Sequence, residues 1–232
     1  MKTNAQLDSS APTLANTMLS DAVFRPMLFS TPMVQALLAG RKTQTRRICK
    51  LQPDADCYYI REFSSGILTM NYNQGDENPK LKTPVNVGDI IWVRETFEIH
   101  NCIFDEGLIE IKKYRYKATD ETTLNGWKPS LFMPKSACRI WNHVSNVRVE
   151  RLHDITEQDA IDEGIICEWV ELTTMTFSAM DYLTEKMRFD FSARDSYKSL
   201  WIKINGQKSW DENPFVWVYD FEVSLDCPHG FR

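Results

Sequence analysis

The stretch Gly40-Arg41-Lys42-Thr43-Gln44-Thr45-Arg46-Arg47 constrains this chain more than any other. Four cations, two hydroxyls and an amide follow a glycine that closes a short apolar segment. Polar groups placed that close to a core carry a desolvation cost unless they are used. The stretch is therefore expected to form the edge of a binding or active site. It is also the only dense basic patch in a chain of formal net charge -5 and pI ≈ 5.5. Contact with a polyanion would have to be made here rather than through the overall field.

The preceding residues give the stretch a fixed starting point. Met27-Leu28-Phe29 reads as a short strand, and Thr31 as the N-cap of a helix over 33–39 with Pro32 at its first position and Gly40 as its stop. Met33, Val34, Leu37 and Leu38 fall at helical spacing, so one face packs inward. Residues 1–21 are rich in Ser, Thr, Asn and Ala with little periodicity, and a flexible arm is expected there.

Beyond the basic stretch, 57–63 and 67–72 read as a hairpin around Ser64-Ser65-Gly66, followed by a polar loop over 73–84. Val87-Gly88-Asp89 turns into a strand over 90–97. Its start, Ile90-Ile91-Trp92-Val93, suits burial on both faces, and its polar end is expected to reach a cleft. Strands are also expected over 109–118 and over 140–152, where Val144, Val147 and Val149 alternate with polar residues.

Thr156 opens a second helix with Asp159 in a weak capping-box relation, and Gly164 stops it, which leaves Glu163 on the last turn. A carboxylate there opposes the helix dipole at a cost of up to about 1 kcal/mol, an inconsistency that a functional site explains. Residues 168–190 read as an insertion with some helical character. Tyr197, Leu200, Trp201 and Ile204 define a packing helix over 193–204, with Ser192 as cap and Asn205-Gly206 at its end. A closing strand over 215–223 puts Phe215, Trp217, Tyr219, Phe221 and Val223 on one face and Val216 and Val218 on the other. Residues 225–232 read as a loose tail, which leaves 22–224 as one domain.

At 43% hydrophobic and 12% aromatic, 232 residues bury a sizeable core. Strands separated by loops, with three short helices and no regular βαβ alternation, point to an α+β fold whose strands close into a small barrel or strongly curved sheet. The six cysteines form no C-x-x-C pair and follow no apolar signal segment, so reduced thiols and a cytoplasmic location are expected. No run approaches the roughly 18 apolar residues of a membrane helix. The four histidines lack metal-site spacing, and there is no G-x-S-x-G, P-loop or G-x-G-x-x-G. No motif bears on oligomeric state.

Three pieces occur in order: Ala39-Gly40-Arg41-Lys42-Thr43-Gln44-Thr45-Arg46-Arg47; Gly88-Asp89 leading into Trp92-Val93-Arg94-Glu95-Thr96; and Val149-Glu150-Arg151-Leu152 running into Ile155-Thr156-Glu157 and on to Glu163-Gly164. Together they resemble the ASCH domain family. Ser209-Trp210-Asp211 and Asn213-Pro214-Phe215-Val216-Trp217 resemble the closing strand of its longer bacterial and phage-associated members. The resemblance runs from Pro26 to Phe221 and implies a PUA-like β-barrel with peripheral short helices, a fold associated with RNA and modified-nucleoside recognition. The segments near 49–83, 99–124 and 168–190 have no counterpart in the compact members.

One branch of that family hydrolyses the amide of N4-acetylcytidine and related N4-acylated cytosines with a lysine, a threonine and a glutamate, and without a metal or other cofactor. Motif by motif, these fall on Lys42, Thr45 and Glu163. The implied partner is a small modified nucleoside or single-stranded RNA, and the implied alternatives are a non-catalytic RNA-binding module and an ASCH-type ribonuclease. Amide hydrolysis needs a nucleophile, a base, oxyanion donors and an acid for the leaving amine. Thr45 would serve as nucleophile and Lys42 as base, once burial or the neighbouring Arg41, Arg46 and Arg47 lower its pKa. A regular strand would turn residues 42 and 45 to opposite sides, so the pair requires a bend; otherwise Lys42 is a solvated cation and Thr43 and Thr45 line one strand face.

Arg41, Thr43, Arg46 and Arg47 are candidates to hold a phosphate or base edge, with solvated surface as the alternative. Trp127 and Phe132 are candidates to stack a base, with core packing as the alternative. Arg94 and Glu95 are either pocket residues or a structural ion pair, and Glu95 is the rival carboxylate to Glu163.

Overall fold

A computed structural model describes residues 22–52, 57–63, 67–72, 80–104, 109–171 and 175–231. The expected arm over 1–21, the turn at 64–66 and residues 73–79 of the expected loop lie outside the described residues. The chain is a mixed α+β structure with more sheet than helix.

Its centre is a five-stranded sheet of β1 (Phe24–Leu28), β2 (Gln44–Ile48), β6 (Ile90–Arg94), β9 (Trp141–Arg151) and β13 (Phe215–Ser224), in the order β1-β6-β9-β13-β2. β1 runs parallel to β6 and the other neighbours are antiparallel. Around it stand two three-stranded sheets, β3 (Cys57–Phe63), β4 (Ile67–Tyr72) with β5 (Lys80–Lys82), and β10 (Cys167–Glu171), β11 (Met175–Asp181) with β12 (Lys186–Arg188). The ribbon of β7 (Phe97–Phe104) and β8 (Ile109–Tyr116) completes the strands. The helices are α1 (Thr31–Leu38), α2 (Glu157–Asp162), α3 (Ala193–Asn205) and α4 (Gln207–Asp211), and none is long and apolar enough to cross a membrane.

β13 organises the packing because both of its faces are apolar. Trp217, Tyr219 and Phe221 join Ile91, Val93, Val144, Phe29, Val34 and Leu37 in one core. Val216 and Val218 on the opposite face join Leu152, Ala160, Tyr197, Leu200 and Trp201 of a second core beneath α2 and α3. The central sheet thus separates two layers, as the alternation over 215–223 predicts. The register shifts between Asp220 and Phe221, which face Asn146 and Val144. Ser145 is left as the extra residue of a bulge that bends the long β9–β13 pair.

No ladder joins the edge strands β1 and β2 among the described residues, so strand pairing does not close the expected barrel. A side chain makes the connection instead: Arg47 Nη2 on β2 donates to the Leu28 carbonyl of β1 at 2.8 Å.

Several expectations shift. α1 begins with Ser30 rather than Thr31 as N-cap, because Pro32 is accommodated in the first turn. The strand expected over 90–97 breaks after Arg94 and restarts as β7. The described residues of 168–190 form strands β10, β11 and β12 rather than helix, and 172–174 lie outside them. Thr176 and Phe177 on β11, β-branched and aromatic, favour extended backbone. The fourth helix, α4, follows Gly206 at φ 86 and extends past the expected end of the packing helix.

The expected loose tail is folded back. Phe231 is 5% exposed and packs with Ile90, Trp92 and Trp141. Its ring meets Phe24, Trp92 and Trp141 edge-on at 5.0, 6.0 and 5.5 Å. One aromatic in a short polar segment carries no periodic signal. Phe231→Ala is expected to destabilise the fold by about 3 kcal/mol, the usual cost of emptying a buried aromatic site, as read from urea denaturation. A loss below about 0.5 kcal/mol would mean that the tail is not part of the packed structure.

Candidate active site

The basic stretch is clamped before any side chain acts. Arg41 N and Lys42 N both donate to the Ala36 carbonyl at the end of α1, at 3.0 and 3.2 Å. Thr43 N donates to Asp162 O at 2.9 Å, and Thr43 O accepts from Phe221 N at 2.9 Å. The chain between α1 and β2 therefore lies against the end of α2 and the bulge of β13. Lys42 and Glu163 also form an isolated backbone bridge.

α2 delivers Glu163 to this point. Thr156 and Asp159 make a complete capping box at its start, and Gly164 takes φ 84 just after it. A Cβ on Gly164 would lie 2.7 Å from Lys42 Cβ and 2.8 Å from Ala36 Cβ. Only glycine permits both the backbone turn and this approach.

Lys42 is 0% exposed and Glu163 3%. Lys42 Nζ donates to Glu163 Oε2 at 2.7 Å and to the Glu163 carbonyl at 2.8 Å. Burial lowers the Lys42 pKa from its ordinary value, while Glu163 pulls it the other way and Arg47 and Arg46 add to the lowering. The carboxylate at the helix end is thus paired with a cation that cancels its unfavourable dipole interaction.

The other Glu163 oxygen, Oε1, lies 3.4 Å from Arg46 Nη1. Arg46 also donates to Glu150 at 3.0 Å, lies 3.5 Å from Asp159 and contacts the Gln44 carboxamide. Burial works against its charge, but Glu163, Tyr197, Asp159 and Glu150 outweigh it and raise its pKa. Asp159 in turn is held at about 2: burial alone would raise it, and hydrogen bonds from Thr156 and Gln44 with the charge of Arg46 bring it down. Arg148 closes this network beneath α2, reaching Asp159 at 2.8 Å and binding Glu150 and Asp220.

Arg47 is half-buried and makes no ion pair among the described residues. Its guanidinium stacks 5.1 Å from the Phe29 ring centre, and burial lowers its pKa against the pull of Glu163. Tyr197 from α3 is held neutral: burial, then Glu163, pushes its pKa well up.

These groups border a cavity of ≈ 70 Å³ lined by Glu163, Arg46, Arg47 and Tyr197 within and by Met33, Ile48, Ile204 and Asn205 toward solvent. That is about twice a water molecule's ~30 Å³ share of liquid volume, room for a small acyl group. Ile48 and Ile204 are half exposed at its mouth. Ile204 was expected to pack inward with the rest of its helical stripe, but it sits on the last turn of α3 where the sheet no longer covers it.

Thr45 does not join the pair. It lies opposite Tyr219 in the β2–β13 ladder, on the face that carries Trp217 and Tyr219. Its hydroxyl is buried with no hydrogen-bond partner, so it is not bonded to Lys42. Arg46, one residue on, faces Val218 and the α3 side. Lys42, Gln44 and Arg46 all reach toward α2, at Glu163, Asp159 and again Glu163, so the alternation runs through Thr43 without the required bend and leaves Thr45 on the opposite side.

The remaining candidates lie elsewhere. Arg41 is exposed and donates to Gly164 O at 3.0 Å and Ile165 O at 3.3 Å, bracing the turn after α2. Thr43 is exposed and contributes its backbone. Arg94 and Glu95 do not pair with each other. Arg94 contacts the Leu131 carbonyl and stacks on Trp92. Glu95 is 1% exposed and bound at both oxygens by Arg139, at 2.8 and 2.9 Å. Trp127 is half-buried and Phe132 is 69% exposed, and neither lines the cavity. Tyr197 was read only as a packing residue, since its spacing within α3 matches that role and carries no sign of its proximity to Glu163.

Among the described residues no group of three His, Cys, Asp or Glu side chains is placed to hold a metal ion. No known protein family, curated protein or solved structure matches the chain.

Two substitutions test this geometry. Gly164→Ala is expected to cost about 3 kcal/mol, from left-handed backbone strain plus the clash with Lys42 and Ala36; thermal and urea unfolding measure it, and a loss under about 1 kcal/mol would contradict the close approach. Thr45→Val removes a buried donor that has no acceptor and is expected to be neutral or stabilising by up to about 1 kcal/mol. A destabilisation of more than about 1 kcal/mol would show that the hydroxyl does have a partner.

Proposed function

We propose that the chain is an amidohydrolase that removes a small acyl group from the exocyclic nitrogen of an acylated base such as N4-acetylcytosine. The observation that carries this reading is the buried Lys42–Glu163 pair, with its carboxylate lining an acyl-sized cavity flanked by two guanidinium groups. The resemblance to the ASCH family supports the same substrate class, with the five-stranded sheet as an open relative of the PUA-like barrel.

Glu163 acts as the base. Its Oε2 is engaged by Lys42, whereas Oε1 has only a long contact to Arg46. Oε1 takes a proton from water as the water oxygen bonds to the acyl carbon. The carbonyl electrons move onto oxygen, and Arg46, which lines the cavity beside Glu163, stabilises the oxyanion. Collapse breaks the carbon–nitrogen bond, and the proton held by Glu163 passes to the leaving nitrogen, giving a carboxylic acid and a free amine. Lys42 is a positioning residue: it orients the carboxylate. The flat base lies outside the cavity against Met33, Ile48 and Ile204, within reach of the Asn205 amide. Water rather than Thr45 is the nucleophile on this reading, because the threonine hydroxyl belongs to the other face of β2.

A second reading is a non-catalytic module that binds a nucleoside or RNA strand in this cleft. It is favoured by the mutual satisfaction of Lys42, Glu163 and Arg46, which a purely structural cluster would also show.

Incubation of the protein with N4-acetylcytidine, followed by chromatography, is expected to yield cytidine and acetate. Glu163→Gln is expected to lower the rate by about 10²–10⁴-fold, the usual range for loss of a positioned base, with a circular dichroism spectrum like that of the parent. No cytidine from the parent protein, or full turnover by Glu163→Gln, would sink the enzymatic reading. Unchanged nucleoside or RNA binding by that variant would then support the second.

A further inference from the structure

A second cleft lies at the other end of the long strands. It has a volume of ≈ 580 Å³ and is lined by Lys135, Ser136, Cys138, Trp141, Cys227 and Phe231. Trp141 starts β9 and Glu150 stands near its end; nine residues of strand separate them by about 30 Å. The cleft is therefore distinct from the cavity beside Glu163, and it falls in the size range of small-molecule sites, roughly 300–1,000 Å³.

Its walls combine apolar surface with positive charge and carry no carboxylate. The Trp141 and Phe231 rings meet edge-on at 5.5 Å and form an aromatic wall. Lys135 Nζ sits 4.6 Å from the Phe231 ring centre and 5.4 Å from that of Phe24. Among the described residues it has no ion-pair partner. Both rings hold the ammonium at the rim by cation–π attraction.

Trp141 is 4% exposed and offers the cleft its ring surface. The Cys138 thiol donates to the Ile140 carbonyl, and burial pushes its pKa up to about 12, so it presents no competing anion.

We propose that this cleft binds a small organic anion: an aromatic or aliphatic body against Trp141 and Phe231, and a single carboxylate or sulfonate directed to Lys135. The assignment is independent of the activity at Glu163. A doubly charged polar ligand such as a sugar bisphosphate does not suit it, since one cation faces a largely aromatic wall.

The probe is 8-anilinonaphthalene-1-sulfonate, an aromatic monoanion, titrated into the full-length chain at low salt, with near-ultraviolet circular dichroism confirming that the protein stays folded. Saturable fluorescence at one site per chain is expected, with displacement by decanoate. Lys135→Met keeps the apolar stem and removes the charge, and it is expected to weaken the sulfonate about tenfold through loss of a charge-assisted contact. Binding of the uncharged N-phenyl-1-naphthylamine is expected to change less than about twofold, since apolar burial is retained. No saturable binding, or equal sulfonate affinity in Lys135→Met, would overturn the proposal, as would an equal loss of the charged and uncharged probes.

Discussion

The structure around β2 depends on one buried ion pair. Lys42 and Glu163 lie 121 positions apart, and both are withdrawn from water. A pair of this kind is a weak source of net stability, because desolvation consumes most of the Coulomb energy. Breaking it is expensive, however, since the surviving charge would be left buried. The surrounding chain therefore has to meet strict conditions: α1 must end at Gly40, α2 must end at Gly164, and the backbone of residues 41–43 must be held by Ala36, Asp162 and Phe221. Such an investment in geometry is better explained by chemistry than by folding.

Arg46 carries the consequences of that pair outward. It links Glu163 to Glu150 and Asp159, and through them to Arg148 and Asp220. β2, β9, α2 and β13 each contribute to this network, so the position of Glu163 is referred to four elements at once. The same arrangement explains why Asp159 serves both as capping-box partner of Thr156 and as counter-ion to Arg46. Cap and site cannot move independently.

The sequence was informative where a feature is local. The alternation of β13 marked both core faces, the Thr156–Asp159 box and the Ser192 cap marked two helix starts, and Gly164 with Glu163 marked the inconsistency at the end of α2. Partners brought together only by tertiary folding were not legible. Glu95 has Arg139 rather than Arg94, 44 positions away, and nothing in either neighbourhood encodes that choice. Phe231 belongs to a core 90 positions away at Trp141, with no periodicity to mark it. Residues 168–190 show the limit of a charge-rich window: the pairing of β10, β11 and β12, and the bonds from Ser196 to Met180 and from Tyr182 to Ser199, favour strands that local pattern leaves ambiguous.

The motif resemblance and the geometry diverge at a single residue, and the divergence has a physical origin. Lys42 alternates with Gln44 and Arg46 toward α2, whereas Thr45 is the second residue of a ladder whose register with Tyr219 fixes it on the other side. A one-residue slip would exchange the faces of β2, exposing Thr45 to the cavity and withdrawing Arg46 from its three carboxylates. Three carboxylate contacts to a buried guanidinium outweigh one hydrogen bond to a threonine hydroxyl, since an unpaired buried charge costs far more than an unpaired buried hydroxyl. The register seen in β2 is therefore the one that the charges select, and it leaves Glu163, rather than Thr45, lining the cavity.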